Sequence, residues 1–273
     1  MELTYVSLTV SSLETSIDFY HSVIGLHVLL RTNQSAVLGT MTDQPLLILT
    51  QVEASFPRDL NATGMDHFAF LVPNRIELAR HMGRVIERNY PITMITDHGV
   101  NESFYLADPD DILIEITRDF TPEELAERRP LSSQELALQL MDLYSKFKTP
   151  SPDIAKETSI GHILLRVANL AKTEQFYTSN LGFDVSMRLP GAVFVSAGGY
   201  HHHVGFHVWE SEGGPRPDIT AIGLRAFSIT YESPCEFQFV RDPAGNGIIL
   251  SSQSKLSHNQ LIELDRTYIN ERR

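Results

Sequence analysis

The sequence predicts an α+β fold assembled from repeated units, each a strand, a helix and then further strands. Three observations predict it: an internal repeat, apolar alternation at period two, and helix-period segments between the alternating runs. Residues 8 to 28, LTVSSLETSIDFYHSVIGLHV, align without gaps on 165 to 185, LRVANLAKTEQFYTSNLGFDV, at an offset of 157 residues. GMDHFAF from Gly64 lines up with GLRAFSI from Gly223, and ADP at 107 to 109 with RDP at 241 to 243. The chain therefore carries four units.

In unit one, YVSLTV alternates as a half-buried strand, and SSLETSIDFYHSVI places Leu13, Ile17 and Tyr20 at helical spacing behind a serine cap. Gly25 stops that helix, and short strands around LHVLLR, SAVLGTM and PLLILTQV follow. Unit two repeats the order as DHFAFLV, a helix from Arg75 to about Arg88, then ITMIT, SFYLA and ILIEIT. Unit three begins at SIGHILLRV and unit four at IGLRAFSITY. The fourth has lost its helix, because Ala226 to Asp242 spans 16 positions where His67 to Asp108 spans 41. TPEELAERRPLSSQELALQLMDLYSKFKTPSPD reads as a helical linker bounded by Pro122 and by Pro150 and Pro152. The division is a first module over 1–120, a linker over 121–156, a second module over 157–253 and a C-terminal tail over 254–273.

At 273 residues and 42% hydrophobic content the chain can bury a full core, as one large domain or two of ordinary size. A formal net charge of −12 argues against nucleic acid or an anionic membrane as partner. The single cysteine, Cys235, forms no intramolecular disulfide, and neither a basic-then-apolar leader nor a long apolar run is visible. The expectation is a cytoplasmic protein.

Chemistry concentrates between Thr96 and Glu115, TDHGVNESFYLADPDDILIE. On a hairpin, Tyr105 and Glu115 flank the Asp108–Pro109 turn with His98 one loop upstream, so one site can use all three. A centre of two histidines and one carboxylate needs such a carboxylate, and it leaves open coordination positions for substrate and oxygen.

These residues resemble the vicinal oxygen chelate superfamily of glyoxalases, extradiol dioxygenases and fosfomycin or bleomycin resistance proteins. The resemblance covers nearly the whole chain outside the linker and tail. It implies four βαβββ units, the fourth truncated, whose sheets pair into two cupped incomplete barrels. His98, Phe104-Tyr105, Asp108-Pro109 and Glu115 look like the extradiol dioxygenase signature, departing from it at Asp111, where the family has Gly or Pro.

Carried over position by position, the resemblance implies His67, Glu115 and His162 as metal ligands. By the repeat, the counterpart of His162 in unit one is Tyr5, while unit four offers Ala226 opposite His67 and Ile249 opposite Glu115. Pairing units in sequence order would scatter the three ligands over two cups. Pairing unit two with three collects them, leaving units one and four as a structural cup.

In AGGYHHHVGFHVW, strand alternation sets His201 and His203 opposite to His202. The resemblance makes His202 an acid-base group beside the metal, with His203 in that place if the register slips by one. A glyoxalase would put a carboxylate on this strand, and none is there. Histidines 21, 27, 81, 207 and 258 read as packing or hydrogen-bonding residues, and so, by default, do Trp209 and the Gly213–Pro215 loop.

The expectation is an extradiol ring-cleaving dioxygenase of the catechol 2,3-dioxygenase type. Iron(II) is the first choice of metal and manganese(II) the second; His202, His98 and Tyr105 are the catalytic candidates. A small aromatic diol and dioxygen are the partners, and homo-oligomerisation is open. The alternatives are a glyoxalase-like isomerase or thiol transferase, and a metal-free protein that sequesters a small molecule.

Overall fold

The computed structural model describes residues 1–270 except 54, 60, 150, 219 and 253–255, with the backbone alone for 267–270. The linker boundary at Pro150 and the tail boundary at 253/254 lie outside the described residues. Unit one comprises β1 (Glu2–Val10), α1 (Leu13–Phe19), β2 (His27–Arg31), β3 (Ser35–Gly39) and β4 (Pro45–Gln51). Ser12 caps α1 through its side chain, and the helix runs on as a π-turn over Tyr20–Ile24. Gly25 then ends it at φ +88°, a left-handed conformation that glycine adopts without steric cost. Unit two comprises β5 (Gly64–Leu71), α2 (Arg75–Glu87), β6 (Met94–Asp97), β7 (Asn101–Ala107) and β8 (Leu113–Asp119).

Two helices follow, the short α3 (Pro122–Glu127) and the longer α4 (Ser133–Phe147), each opened by a reciprocal capping box. The linker is not a loose tether. Leu136, Leu140 and Tyr144 of α4 are buried, and Gly83 of α2 lies so close that a Cβ there would meet the Tyr144 ring at 2.3 Å.

Unit three comprises β9 (Ser159–Arg166), α5 (Leu170–Gln175), β10 (Asp184–Leu189), β11 (Ala192–Ser196) and β12 (Val204–His207). Unit four has β13 (Gly223–Tyr231), β14 (Gln238–Arg241) and β15 (Gly247–Ser252), with no helix among its described residues. The chain closes with α6 (His258–Asn270), so the expected tail is a helix.

Two sheets result. The seven-stranded sheet runs β14-β15-β13-β1-β4-β3-β2, and the eight-stranded sheet runs β10-β11-β12-β9-β5-β8-β7-β6. Unit one is thus joined to unit four through the antiparallel β1/β13 seam, and unit two to unit three through β5/β9. Each sheet takes strands from both halves of the chain. This is the pairing that gathers His67, Glu115 and His162.

The seams share a defect. The β5/β9 register shifts between Met65 and His67 and again between Phe68 and Phe70, which puts a bulge at Asp66 and another beside His162. The β1/β13 register shifts between Leu3 and Val6 and between Ser7 and Leu8, beside Tyr5 and Arg225. Bulges bend a strand and re-aim its side chains. Both cups keep this geometry, but one has lost the histidines. In that cup, Leu261 and Ile262 of α6 pack with Tyr5, Val37, Ile48, Ala226 and Ile249. Asp265 of α6 reaches further in, accepting from Thr50 Oγ1 at 2.7 Å, from Arg225 Nε at 2.9 Å and from Ser7. No helix among the described residues is long and apolar enough to cross a membrane.

Candidate metal centre

Among the described residues the second cup has no such plug, and its inner face carries His67, Glu115 and His162. His67 on β5, Glu115 on β8 and His162 on β9 each offer a ligand atom within 4.8 Å of the others. No other such cluster of His, Cys, Asp or Glu occurs among the described residues. All three are buried, at 8%, 1% and 3% exposure. His162 Nε2 lies 2.9 Å from Glu115 Oε2, and His67 Nε2 lies 3.2 Å from the same oxygen. Two imidazole nitrogens thus converge on one carboxylate in a place too dry for loose charges.

Neighbours fix each of the three. Ser103, facing Glu115 from β7, donates to Oε1 and bonds Thr117 Oγ1 at 2.9 Å. Asp66 Oδ1 holds His67 Nδ1 at 2.9 Å, which leaves Nε2 free to ligate. Period-two alternation would turn Asp66 away from His67, but the bulge puts them in contact. The buried Nδ1 of His162 has no hydrogen-bond partner among the described residues.

Electrostatics follow from burial and pairing. Burial alone would raise Glu115, but the charge and hydrogen bonds of His162 and His67 hold it well below the usual carboxylate range. Burial would lower His67, and its contacts with Asp66 and Glu115 outweigh this and raise it to about 9. Asp66 is likewise held well below its usual range, against burial, by His207 and His67. His207, expected as a packing residue, stacks on Trp209 with ring centroids 4.3 Å apart and sets Nε2 3.4 Å from Asp66 Oδ2. Trp209 in turn donates to Pro190 O at 3.1 Å, so it is packed against its own sheet.

The remaining candidates surround the triad. Tyr105 pairs directly with Glu115 across the β7/β8 ladder, and its ring meets His67 edge-on at 5.5 Å. Burial first and the Glu115 charge second push its hydroxyl upward, so it stays a proton donor. His98 Nε2 lies 2.9 Å from the Tyr105 hydroxyl, and burial lowers that imidazole. The turn carrying His98 is held from the linker side: Arg128 pairs with Asp97 and donates to Gly99 O at 3.1 Å. The Asp108 turn also forms, with Asp108 Oδ1 accepting from the amides of Asp110 at 2.8 Å and Ile112 at 2.9 Å. Asp111 stands there at φ +60°, the left-handed conformation that Gly would take most easily and that Asp tolerates.

The three consecutive histidines need one correction. They lie in the turn before β12 and not on the strand, so alternation does not apply, and the His201 and His202 rings sit side by side. His202 packs against His162 with centroids 4.3 Å apart. His203 turns to the other side, where it accepts from Ala197 N at 3.2 Å and meets Phe183. Burial first, then the neighbouring His162 and His201, push His202 well below the usual imidazole range. Asp66 and Ser103 are residues of this site that sequence reasoning missed. An acidic residue directly before His67 was the one visible signal.

A family model for the Glyoxalase/Bleomycin resistance protein/Dioxygenase superfamily matches residues 2–116 and 159–233. The chain belongs to that superfamily. Within the superfamily, it is 35% identical over 243 residues to the catechol-2,3-dioxygenase of Bacillus subtilis (strain 168), covering 86% of this chain and 85% of that protein. A solved Bacillus subtilis structure, described provisionally as a dioxygenase, superposes with a TM-score of 0.65 at 14% identity, covering 99% and 96% of the two chains. A glyoxalase I mutant from Zea mays superposes at 0.57 with 16% identity, covering 96% and 95%. At such identities the two superpositions speak for the superfamily fold alone.

Proposed function

We propose that this protein is an extradiol ring-cleaving dioxygenase of the catechol 2,3-dioxygenase type. The observation that carries the reading is the convergence of His67, Glu115 and His162 in one cup, ringed by Tyr105, His98 and His202. The donor set fits a divalent ion: two imidazoles, one ionised carboxylate, and His67 turned for ligation by Asp66. Iron(II) is the metal of choice and manganese(II) the second. Held by these three residues, such an ion would leave coordination positions open to a diol and to dioxygen. The relationship to a catechol-2,3-dioxygenase supports the same reaction class.

The protein's own groups handle protons and position. His202, neutral and against the triad, accepts a proton from the diol. Tyr105, kept protonated by its surroundings, donates a hydrogen bond to oxygen that gains charge, and His98 orients that hydroxyl. Well-placed groups of this kind are worth roughly 10²–10⁴-fold each in rate. The cup buries the diol away from water, which strengthens each contact. A small aromatic diol and dioxygen are the partners this implies, and the lone cysteine suits the cytoplasm.

Oxygen uptake decides the matter. Protein reconstituted with iron(II) under argon is expected to consume one dioxygen per catechol and yield a yellow ring-opened semialdehyde. Oxygen-independent, thiol-dependent turnover of methylglyoxal, with no oxygen uptake on any catechol or hydroquinone, would overturn the reading in favour of a glyoxalase-like isomerase.

A further inference from the structure

His202 is reached from behind by a hydrogen-bonded chain that crosses between units two and three. Asp119, the last residue of β8, takes a hydrogen bond from the Tyr200 hydroxyl on Oδ2 at 2.8 Å. Its Oδ1 lies 2.9 Å from His201 Nε2, and His201 Nδ1 lies 2.8 Å from His202 Nδ1. The rings follow one another in order and tilted, Tyr200 against His201 with centroids 4.1 Å apart and His201 against His202 at 4.7 Å. Among the described residues, every ring nitrogen of this chain except His202 Nε2 has a hydrogen-bond partner. That last atom belongs to the ring lying against His162.

The partners dictate where the protons sit. An ionised carboxylate can only accept, so His201 Nε2 carries a hydrogen toward Asp119. A neutral imidazole with Nε2–H has a lone pair on Nδ1, which must accept from whatever lies 2.8 Å away. His202 Nδ1 is therefore the donor, and the neutral His202 ring has no hydrogen left for Nε2.

We propose that Asp119 and His201 are positioning residues that fix the tautomer of His202, so that Nε2 faces the site as a bare lone pair. Without them the ring has no reason to prefer this form, and the opposite tautomer presents an N–H that cannot take a proton. Tyr200 helps by occupying the second oxygen of Asp119. The inference rests on His202 being the residue that accepts the diol proton.

Asp119→Asn is the decisive variant, because it keeps shape and reverses direction. Its amide can turn N–H toward His201 Nε2, which must then accept, and each hydrogen in the chain moves over by one atom. In ¹⁵N-labelled full-length protein, metal-free and zinc-loaded, nitrogen shifts are expected to show His202 protonated at Nδ1 and bare at Nε2. In Asp119→Asn they are expected to show the reverse. In the iron(II) form, kcat of that variant should fall roughly 10²–10⁴-fold, with KM and metal content nearly unchanged, since only a proton-transfer contact is lost. Asp119→Glu should recover part of the rate. A hydrogen on Nε2 of His202 in the wild-type protein, or an Asp119→Asn variant with full kcat, overturns the proposal. Absence of oxygen uptake by the wild type instead sinks the dioxygenase reading, while the nitrogen shifts still decide the tautomer.

Discussion

Glu115 and His162 meet across the seam between units two and three, carboxylate Oε2 to imidazole Nε2 at 2.9 Å, although 47 residues separate them in the chain. The candidate metal centre is therefore a property of the seam. Glu115→Ala, His67→Ala and His162→Ala are each expected to reduce bound metal to background, as measured by elemental analysis after iron(II) or zinc(II) loading. Tyr5→Phe, at the position the repeat matches to His162, should leave it at the wild-type level. Metal retained in any of the three, or lost in Tyr5→Phe, would place the ion elsewhere.

Asp66 acts through His67. Its removal leaves the ligand in place but free to rotate, and losing such an outer contact typically weakens metal binding about 10–100-fold. Competition of Asp66→Ala against a chromogenic chelator should read that change, with Asp66→Glu closer to wild type.

The metal-free site has a definite pH dependence. His67 titrates at about 9 in the folded chain, above the ordinary imidazole value of roughly 6.5. Its protonation stabilises the metal-free fold fully below about pH 6.5, and that contribution disappears as pH rises through 9. Glu115 is shifted the other way, so its contribution is present above the usual carboxylate range and is lost as acid protonates it. Metal must displace the His67 proton, so affinity for zinc(II) should rise about tenfold per pH unit up to about pH 9. Calorimetric titrations at several pH values check the slope and the proton released; a flat profile would mean that His67 is already neutral.

The plugged cup tests stability without touching the centre. Asp265 and Arg225 are both buried, at 2% and 7% exposure, and removing one partner of a buried ion pair costs about 3–5 kcal/mol. Asp265→Ala should lower the urea midpoint accordingly, while folded protein below that midpoint binds metal normally. An unchanged midpoint would show that α6 docks through Leu261 and Ile262 alone.

What the sequence made legible was whatever repeats. A gapless alignment registers His162 with Tyr5 and His67 with Ala226, and turn chemistry sets Tyr105 opposite Glu115. Such features depend on spacing, which a chain displays openly. The bulges were not legible, because one extra residue reverses alternation without changing residue type, and so Asp66 stayed hidden beside His67. The histidine run misled for a related reason: its three side chains belong to a turn, where period two has no meaning. Asp119 and His201 lie 82 residues apart, and no local pattern announces that contact. The amphipathic α6 could be read as a helix from its own residues, but half of the cup it fills is built by unit-one strands more than 200 positions earlier.

The interleaved sheets make the protein a single assembly event. Neither half of the chain, cut at the linker, contains both sides of any seam: β1 waits for β13 and β5 for β9. During synthesis the first half must stay open-edged until the second emerges, and such distant pairings are slow to form. On the proposed function, metal capture would act as a completion signal, since a chain that binds an ion at the triad must already have brought its two halves together. Separately produced fragments 1–150 and 151–273 should accordingly each fail to bind iron alone and acquire a site only when mixed.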